Sequence, residues 1–193
     1  NYYLGNYKDV FWLAGDGRSG TTWVSNLINW ENAYREMFEP FHPELVAGLE
    51  AFQLHQYIRP NDTSNSTTEI LSSIFSGKFY HERPDAFNRQ FFYKGLLIKD
   101  IFANLIIGWV NQNLPHVKSV LVIRNPFAVA LSKQKRTRGI WMDEPRLFLS
   151  QKALVADYIE PFRAIIEDSS YDFIERQLLI WSIIHYVPFQ QLT

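Results

Sequence analysis

The segment from Val10 to Ile28, VFWLAGDGRSGTTWVSNLI, restricts the possible folds of this chain more than any other stretch. Its apolar run Val10 to Ala14 ends at glycines, and Thr22 to Asn29 can take up a helix, so the segment predicts a strand, a Gly-rich turn and a helix. A turn of this kind presents unpaired backbone N–H groups and the positive end of the helix dipole. We therefore expect a binding site for phosphate or a similar anion.

Further strands and helices alternate along the chain. A second strand is predicted near Tyr34 to Phe38, and the runs Gly95 to Lys99 and Ser119 to Ile123 are apolar without alternation, as in parallel strands buried on both faces. Helical spacing covers 103–113, and Pro126 suits the first turn of a helix that should run to about Arg136. The order predicts an α/β three-layer sandwich with a central parallel sheet.

The remaining segments fit the same single domain. The chain has 193 residues, of which 47% are hydrophobic, so it can bury a full core. The polar segment Arg59 to Thr68 is predicted to be an exposed loop within the domain. The final third, Pro145 to Leu192, is predicted to form two helices, the second with an apolar stripe that suits core packing.

Charge and composition exclude several classes of partner. A net charge of −1 gives no general field that would attract nucleic acid, so any anion site must be local. No stretch approaches the ~20 consecutive apolar residues of a membrane span. The chain has no cysteine, which excludes disulfides and thiol catalysis and fits a reducing compartment. The sequons at Asn61 and Asn65 would suit a secretory protein, so the compartment stays open.

The glycine-rich turn differs from an ATP-binding loop at one decisive position. Reading from Gly15, the spacing is G-x-x-x-x-G followed by two hydroxyl residues, but Thr21 stands where such a loop places its lysine. Arg18, two residues before the second glycine, supplies a fixed positive charge with a planar set of donors instead. The loop is thus suited to an anion other than the phosphates of ATP.

The run RSGTTW, Arg18 to Trp23, resembles the 5′-phosphosulfate loop of sulfotransferases. These enzymes use 3′-phosphoadenosine 5′-phosphosulfate (PAPS) and have a P-loop NTPase-like fold. Where many members carry lysine this chain has Arg18, which can stabilise charge developing on the bridging oxygen but does not readily give up a proton. The resemblance implies that Trp23 stacks on the adenine and that the 5′-phosphosulfate is held by Arg18, Ser19, Gly20, Thr21 and Thr22.

A second motif would serve the 3′-phosphate of the same donor. Arg124 follows the run SVLVI, and Ser132 lies eight residues later, about two turns into the predicted helix. This pair resembles the 3′-phosphate motif of sulfotransferases, R-x-P with a serine eight residues after the arginine. Arg136 shares the helical face of Ser132 and is a further candidate for contact with the donor.

Transfer of a sulfuryl group to a hydroxyl needs a base for the acceptor proton. Glu39 in the segment REMFEPFHPE follows the second predicted strand and resembles the acidic residue of the E-P segment in carbohydrate-type sulfotransferases. His42 and Asp100 are alternatives. Cytosolic sulfotransferases have a histidine base where this chain has Ile101, so the base is assigned first to Glu39. Lys99 is a candidate for contact with the sulfuryl group.

The resemblance implies a metal-free, PAPS-dependent sulfotransferase that acts on a hydroxyl of a small molecule, a sugar or a peptide. It covers the chain from about Val10 to its end, and since sulfotransferases usually continue further, residues 1–193 are predicted to be one domain that lacks its C-terminal part. Two alternatives stay open. One is a non-catalytic nucleotide-binding domain of the same fold, and the other is a P-loop kinase, against which the missing lysine argues.

Overall fold

The computed structural model describes residues 7–63, 66–135 and 141–192. Within these residues, the centre of the molecule is one parallel sheet of four strands in the order β2-β3-β1-β4. Its strands are β1 Val10–Gly15, β2 Tyr34–Phe38, β3 Gly95–Asp100 and β4 Val117–Val122. All four predicted strands are present, and their bounds shift by no more than two residues.

Helices flank this sheet and follow its strands in turn. Those before the C-terminal third are α1 Thr21–Ile28, α2 Ser66–Phe75, α3 Ile107–Asn113, which a 3-10 turn at Asn104–Ile106 precedes, and α4 Pro126–Gln134. Asn125 caps α4, because its side chain accepts a hydrogen bond from the N–H of Ala128, and Pro126 starts the helix as predicted. The fold is therefore α/β with a central parallel sheet, consistent with a three-layer sandwich.

The sheet is buried on both faces near its centre. Along β1, Trp12 packs into the main core, whereas Leu13 points to the other face and packs with Tyr34 and Leu97. Every residue of β3 is buried. This double burial explains why β1 and β3 are apolar without alternation. The prediction that the run Ser119–Ile123 is buried on both faces is wrong, because β4 lies at the end of the described sheet and Val120 is 38% exposed.

The strand order determines where a ligand can bind. β1 lies between β3 and β4, so the turn after β1 is flanked by the carboxyl ends of both neighbours. Ligands of open parallel sheets bind outside the carboxyl ends of the strands. The turn Asp16–Gly20 therefore occupies the centre of the functional edge of the sheet.

The segment predicted as a loop from Arg59 to Thr68 runs into a helix that the sequence interpretation did not include. α2 begins at Ser66 and buries Leu71, Ile74 and Phe75, which share one helical face. Phe75 meets Trp12 edge to face at 5.3 Å between ring centroids. The polar residues before α2 conceal this short apolar stripe in the sequence.

The C-terminal third also differs from the prediction of two helices. The first predicted helix is divided into short pieces: a 3-10 segment at Pro145–Ser150, α5 Lys152–Leu154, a π turn at Val155–Ile159, a 3-10 turn at Glu160–Phe162 and α6 Arg163–Glu167. The second predicted helix is present as α7 Phe173–Leu192. No helix in the described ranges is long and apolar enough to cross a membrane.

Candidate functional site

The turn between β1 and α1 has the backbone of an anion-binding loop. Gly20, the N-cap of α1, has φ 98°, a conformation that strongly favours glycine, and Arg18 also has a positive φ of 71°. The N–H and hydroxyl of Ser19 both donate to the carbonyl of Asp16, at 3.1 and 2.6 Å. Among the residues that the structure describes, no side chain caps α1, so the N–H groups of its first turn are open to an anion.

The two motifs predicted to bind the two ends of one donor are in direct contact. Arg18 Nε donates to Ser132 Oγ at 3.1 Å, across 114 residues of sequence. Arg124 Nη1 donates to the backbone carbonyl of Arg18 at 2.9 Å. The structure thus brings Arg18, Arg124 and Ser132 together at the loop.

Glu39 follows β2 and is held from three directions. Its N–H donates to the carbonyl of Lys99 at 2.7 Å. Its carboxylate pairs with Lys99 Nζ at 2.6 Å and with Arg83 Nη2 at 3.1 Å. Its φ of 51° is strained for a residue other than glycine, which is common where a side chain must be placed for function.

A cavity of about 340 Å³ joins these groups. Two arginines, a lysine and a carboxylate share its walls with the start of α1 and the ring of Trp141. It is concave and polar and lies at the carboxyl ends of β1, β2 and β3, as expected for a ligand site in this fold. The predicted residues that line it are Gly20, Thr21, Thr22, Arg18, Glu39, Lys99 and Arg124.

Other predicted residues lie outside the walls of this cavity. Ser19 turns its hydroxyl back to Asp16, and Ser132 reaches the site through Arg18. Trp23 lies on the outer side of α1 with 68% of its surface exposed. Arg136 lies outside the described residues.

His42 and Asp100, the alternative bases, flank the same edge. Burial, helped by the charge of Arg83, lowers the pKa of His42, so its imidazole is neutral at pH 7 and can accept a proton. Burial raises the pKa of Asp100 to about 7. The carboxylate of Asp100 accepts the N–H groups of Phe41 and Phe102 at 3.0 and 2.6 Å, so it ties the chain after β2 to the chain after β3.

Lys133, which lies close in sequence to Lys135 and Arg136, has a structural role. Its side chain is 4% exposed, and Nζ binds both carboxylate oxygens of Asp16 at 2.7 and 2.8 Å and the side-chain oxygen of Gln177 at 3.0 Å. Gln177 in turn donates to the carbonyl of Met142 at 2.7 Å. Lys133 therefore fixes the turn after β1 to α7 and to the segment around Met142.

The sequence gives no indication of Arg83, and for Trp141 it predicts a loop position that either covers the acceptor site or packs beneath the loop. Arg83 comes from the connection between α2 and β3, where no motif marks the residue that will meet Glu39. Trp141 lies against Gly17 so closely that a Cβ added to the glycine would be 2.4 Å from the indole ring. Gly17 therefore admits a side chain of the protein at this point of the turn.

Comparisons with known proteins leave the site to be interpreted from its own geometry. No family model matches the chain, and neither a curated protein nor a solved structure matches it. Within residues 7–63, 66–135 and 141–192, no cluster of three or more His, Asp or Glu side chains is arranged to hold a metal ion.

Proposed function

We propose that this protein is a sulfotransferase with a P-loop-like fold, which transfers a sulfuryl group from PAPS to a hydroxyl group. The observation that carries the proposal is the contact of the two motifs: Arg18 reaches Ser132, and Arg124 reaches the backbone of Arg18. A donor with phosphates at both its 5′ and 3′ positions needs two cationic sites close together. The two arginines and the open start of α1 supply them.

The residues of the cavity suit the transfer step. The acceptor oxygen attacks sulfur, the bond from sulfur to the bridging oxygen breaks, and its electron pair stays on the 5′-phosphate. Arg18 and the N–H groups at the start of α1 would stabilise that charge, and Lys99 would contact the sulfuryl oxygens. Glu39, fixed by Lys99 and Arg83, would take the acceptor proton, with the neutral imidazole of His42 as the alternative base.

A ligand-induced shift in melting temperature tests the donor. A ligand that binds only the folded protein stabilises it, by about 2.7 kcal/mol at a hundred times its Kd. We expect 3′-phosphoadenosine 5′-phosphate (PAP), the product nucleotide, to raise Tm, whereas ATP with Mg²⁺ should not. Stabilisation by ATP alone would favour the kinase alternative, and an unchanged Tm with PAP would contradict the proposal.

Arg124→Ala tests the 3′-phosphate site. Losing a hydrogen bond to a charged group costs about 1.5–3 kcal/mol, so PAP should bind roughly 10- to 100-fold more weakly in calorimetry. Adenosine 5′-phosphosulfate, which lacks the 3′-phosphate, should lose much less affinity. Lys118→Ala is the matched control, because Lys118 lies on β4 but pairs with Asp9 at the other end of the strand. Equal PAP affinity in Arg124→Ala and the wild type would rule out this placement.

A further inference from the structure

A second cavity, of about 430 Å³, adjoins the first cavity, which is the one of about 340 Å³ at the turn Asp16–Gly20. The two cavities share Gly17, Ile101 and Trp141 as lining residues, so these groups form part of the boundary between them. A molecule in the second cavity would therefore approach the transferring group from beside the end of β3. Its volume falls in the range of sites for small organic ligands.

Most of this second cavity is apolar. Apart from the shared Trp141, its apolar walls are Leu45, Leu54, Ile101, Phe102, Met142 and Ile180. Phe102 also meets the ring of His42 edge to face at 4.9 Å between centroids, which fixes that imidazole in the wall. Such a surface favours a ligand with an aromatic or compact apolar body.

The charges that line the second cavity are either neutralised or lie at its rim. The ammonium group of Lys133 is fully engaged by Asp16 and Gln177. Burial lowers the pKa of His55 to about 3 and also lowers the pKa of His42, so both imidazoles in the lining are neutral at pH 7. Glu44, an exposed residue, is the other carboxylate of the lining. Among the described residues, no free cation is therefore available to an anionic ligand, and burying an unpaired anion is costly.

We infer that the second cavity is the acceptor site and that the acceptor is an uncharged phenol or alcohol with an apolar body. This inference rests on the proposed function. The acceptor hydroxyl enters the first cavity past Ile101 and Trp141, where Glu39 lies, and the apolar body stays behind against Leu54, Phe102 and Met142.

A third cavity, of about 450 Å³, is the competing site for an acceptor, since it shares Thr22 and Phe38 with the first cavity. It is lined by several asparagines, but two of them are occupied by the protein. Asn29 exchanges hydrogen bonds with the backbone of Tyr34, and Asn88 bonds the backbone of Glu36. This cavity therefore has less to offer the hydroxyl groups of a sugar than its composition indicates.

The test compares two acceptors that differ by one carboxylate, 2-naphthol and 6-hydroxy-2-naphthoate. Each is titrated by calorimetry into protein saturated with PAP and is then assayed for transfer from radiolabelled PAPS. We expect 2-naphthol to bind and to be sulfated, and the carboxylate to be at least about tenfold worse in kcat/KM. A neutral disaccharide should bind more weakly than 2-naphthol.

Two variants identify the cavity that is used. Leu54→Trp fills part of the second cavity and should raise the KM for 2-naphthol at least about tenfold while the Kd for PAP stays unchanged. Asn26→Trp, its matched control on the exposed face of α1, narrows the third cavity and should leave KM unchanged. The opposite pattern would overturn the inference in favour of the third cavity.

The remaining outcomes separate this inference from the proposed function. If PAP binds but 2-naphthol does not, or if both naphthols are equally good acceptors, the acceptor class is wrong while the sulfotransferase proposal stands. If PAP itself fails to bind, the proposed function fails, and the acceptor assignment fails with it.

Discussion

Glu39 combines a left-handed backbone with two ion pairs, to Lys99 and to Arg83. As the proposed base, it should be needed for proton removal but not for binding the donor. We predict that Glu39→Gln lowers kcat by roughly 10²- to 10⁴-fold in a radiolabel transfer assay and leaves the Kd for PAP within about threefold of wild type.

Two variants make the result for Glu39 specific. Glu36→Gln changes a carboxylate on β2 that accepts a hydrogen bond from Ser25 and lies outside the first cavity. This variant should therefore retain turnover. His42→Asn tests the alternative base. Full activity in Glu39→Gln together with loss of activity in His42→Asn would transfer the role to His42.

Gly17 and Gly20 are required for different physical reasons. A Cβ at Gly17 would collide with Trp141, whereas one at Gly20 meets nothing within 4 Å but would sit on a backbone of φ 98°. Gly17→Ala should therefore lower the free energy of unfolding by about 1–3 kcal/mol in urea denaturation. Most of this loss should be recovered in the double variant Gly17→Ala with Trp141→Leu. Gly20→Ala should cost about 1–2 kcal/mol with no recovery from Trp141→Leu. If Trp141→Leu restored the same stability to Gly17→Ala and to Gly20→Ala, the two glycines would not be required for different reasons.

Individual residues of the candidate site could be predicted from the sequence where they belong to a recognisable motif. Arg18, Arg124 and Ser132 belong to patterns that follow strands, and the structure brings them together. Arg83 could not be found, because its role depends on Glu39, a neighbour that only the folded chain supplies. Trp141 could be placed in a loop, where it covers the acceptor site or packs beneath the loop, but its contact with Gly17 could not be predicted. Lys133 lies close in sequence to Lys135 and Arg136, and such a cluster is typical of a solvated face, yet the side chain of Lys133 is buried and pairs with Asp16.

Among the elements, β2 carries a fully buried charge of the core. Arg35 is fully buried, and its guanidinium binds Asp85 at 2.7 Å and the carbonyls of Gly77 and Phe79 at 2.6 Å each. This residue ties the connection between α2 and β3 to the sheet. The same connection supplies Arg83, so the position of Glu39 depends on the anchor.

Removing one partner of a buried ion pair leaves the other charge unpaired, at a cost of about 3–5 kcal/mol. We predict that Arg35→Met lowers the free energy of unfolding by that amount in urea denaturation. Arg35→Met combined with Asp85→Leu should recover part of the loss. Arg59→Met, which breaks the exposed pair with Asp157, is the matched control and should cost less than about 1 kcal/mol. If Arg35→Met and Arg59→Met lowered the free energy of unfolding equally, Arg35 would not be the anchor of the connection between α2 and β3.

The elements themselves were predictable to the extent that their hydrophobic pattern is undisturbed. Three of the four strands follow from short apolar runs, whereas β2 carries Arg35 and Glu36 within YREMF, and Pro126 correctly marks the start of α4. The helix α2 was missed because Leu71, Ile74 and Phe75 are its only fully buried apolar residues. The divided region 145–167 was predicted as a single helix, because its spacing alone does not reveal the 3-10 and π turns that tertiary packing imposes.

For the molecule as a whole, His55 couples stability to pH. Burial lowers its pKa from 6.5 to about 3, so the unfolded chain takes up a proton at a higher pH than the folded one. Its contribution is fully present above pH 6.5 and is lost as pH falls from 6.5 towards 3. Between pH 6.5 and 5 this one group should remove about 2 kcal/mol of stability.

His55→Asn isolates that contribution, since asparagine does not titrate and tolerates the positive φ of 53° at this position. Urea unfolding at pH 7 and pH 5 should show a smaller loss in the variant than in the wild type. Asp100 has a shift of opposite sign and remains in both proteins, so it cancels from the comparison. Identical pH slopes would show that His55 is not buried as a neutral group.

The hydrogen bond between Arg18 and Ser132 spans 114 residues, so binding of the proposed donor should become possible only late in folding. Contacts of such separation form only after the intervening strands have assembled, because closing long loops costs entropy first. A peptide of the glycine-rich turn alone would hold no nucleotide. We therefore predict that, during refolding, PAP binding recovers later than the helical circular dichroism signal. The recovery of PAP binding would then report when the sheet is complete.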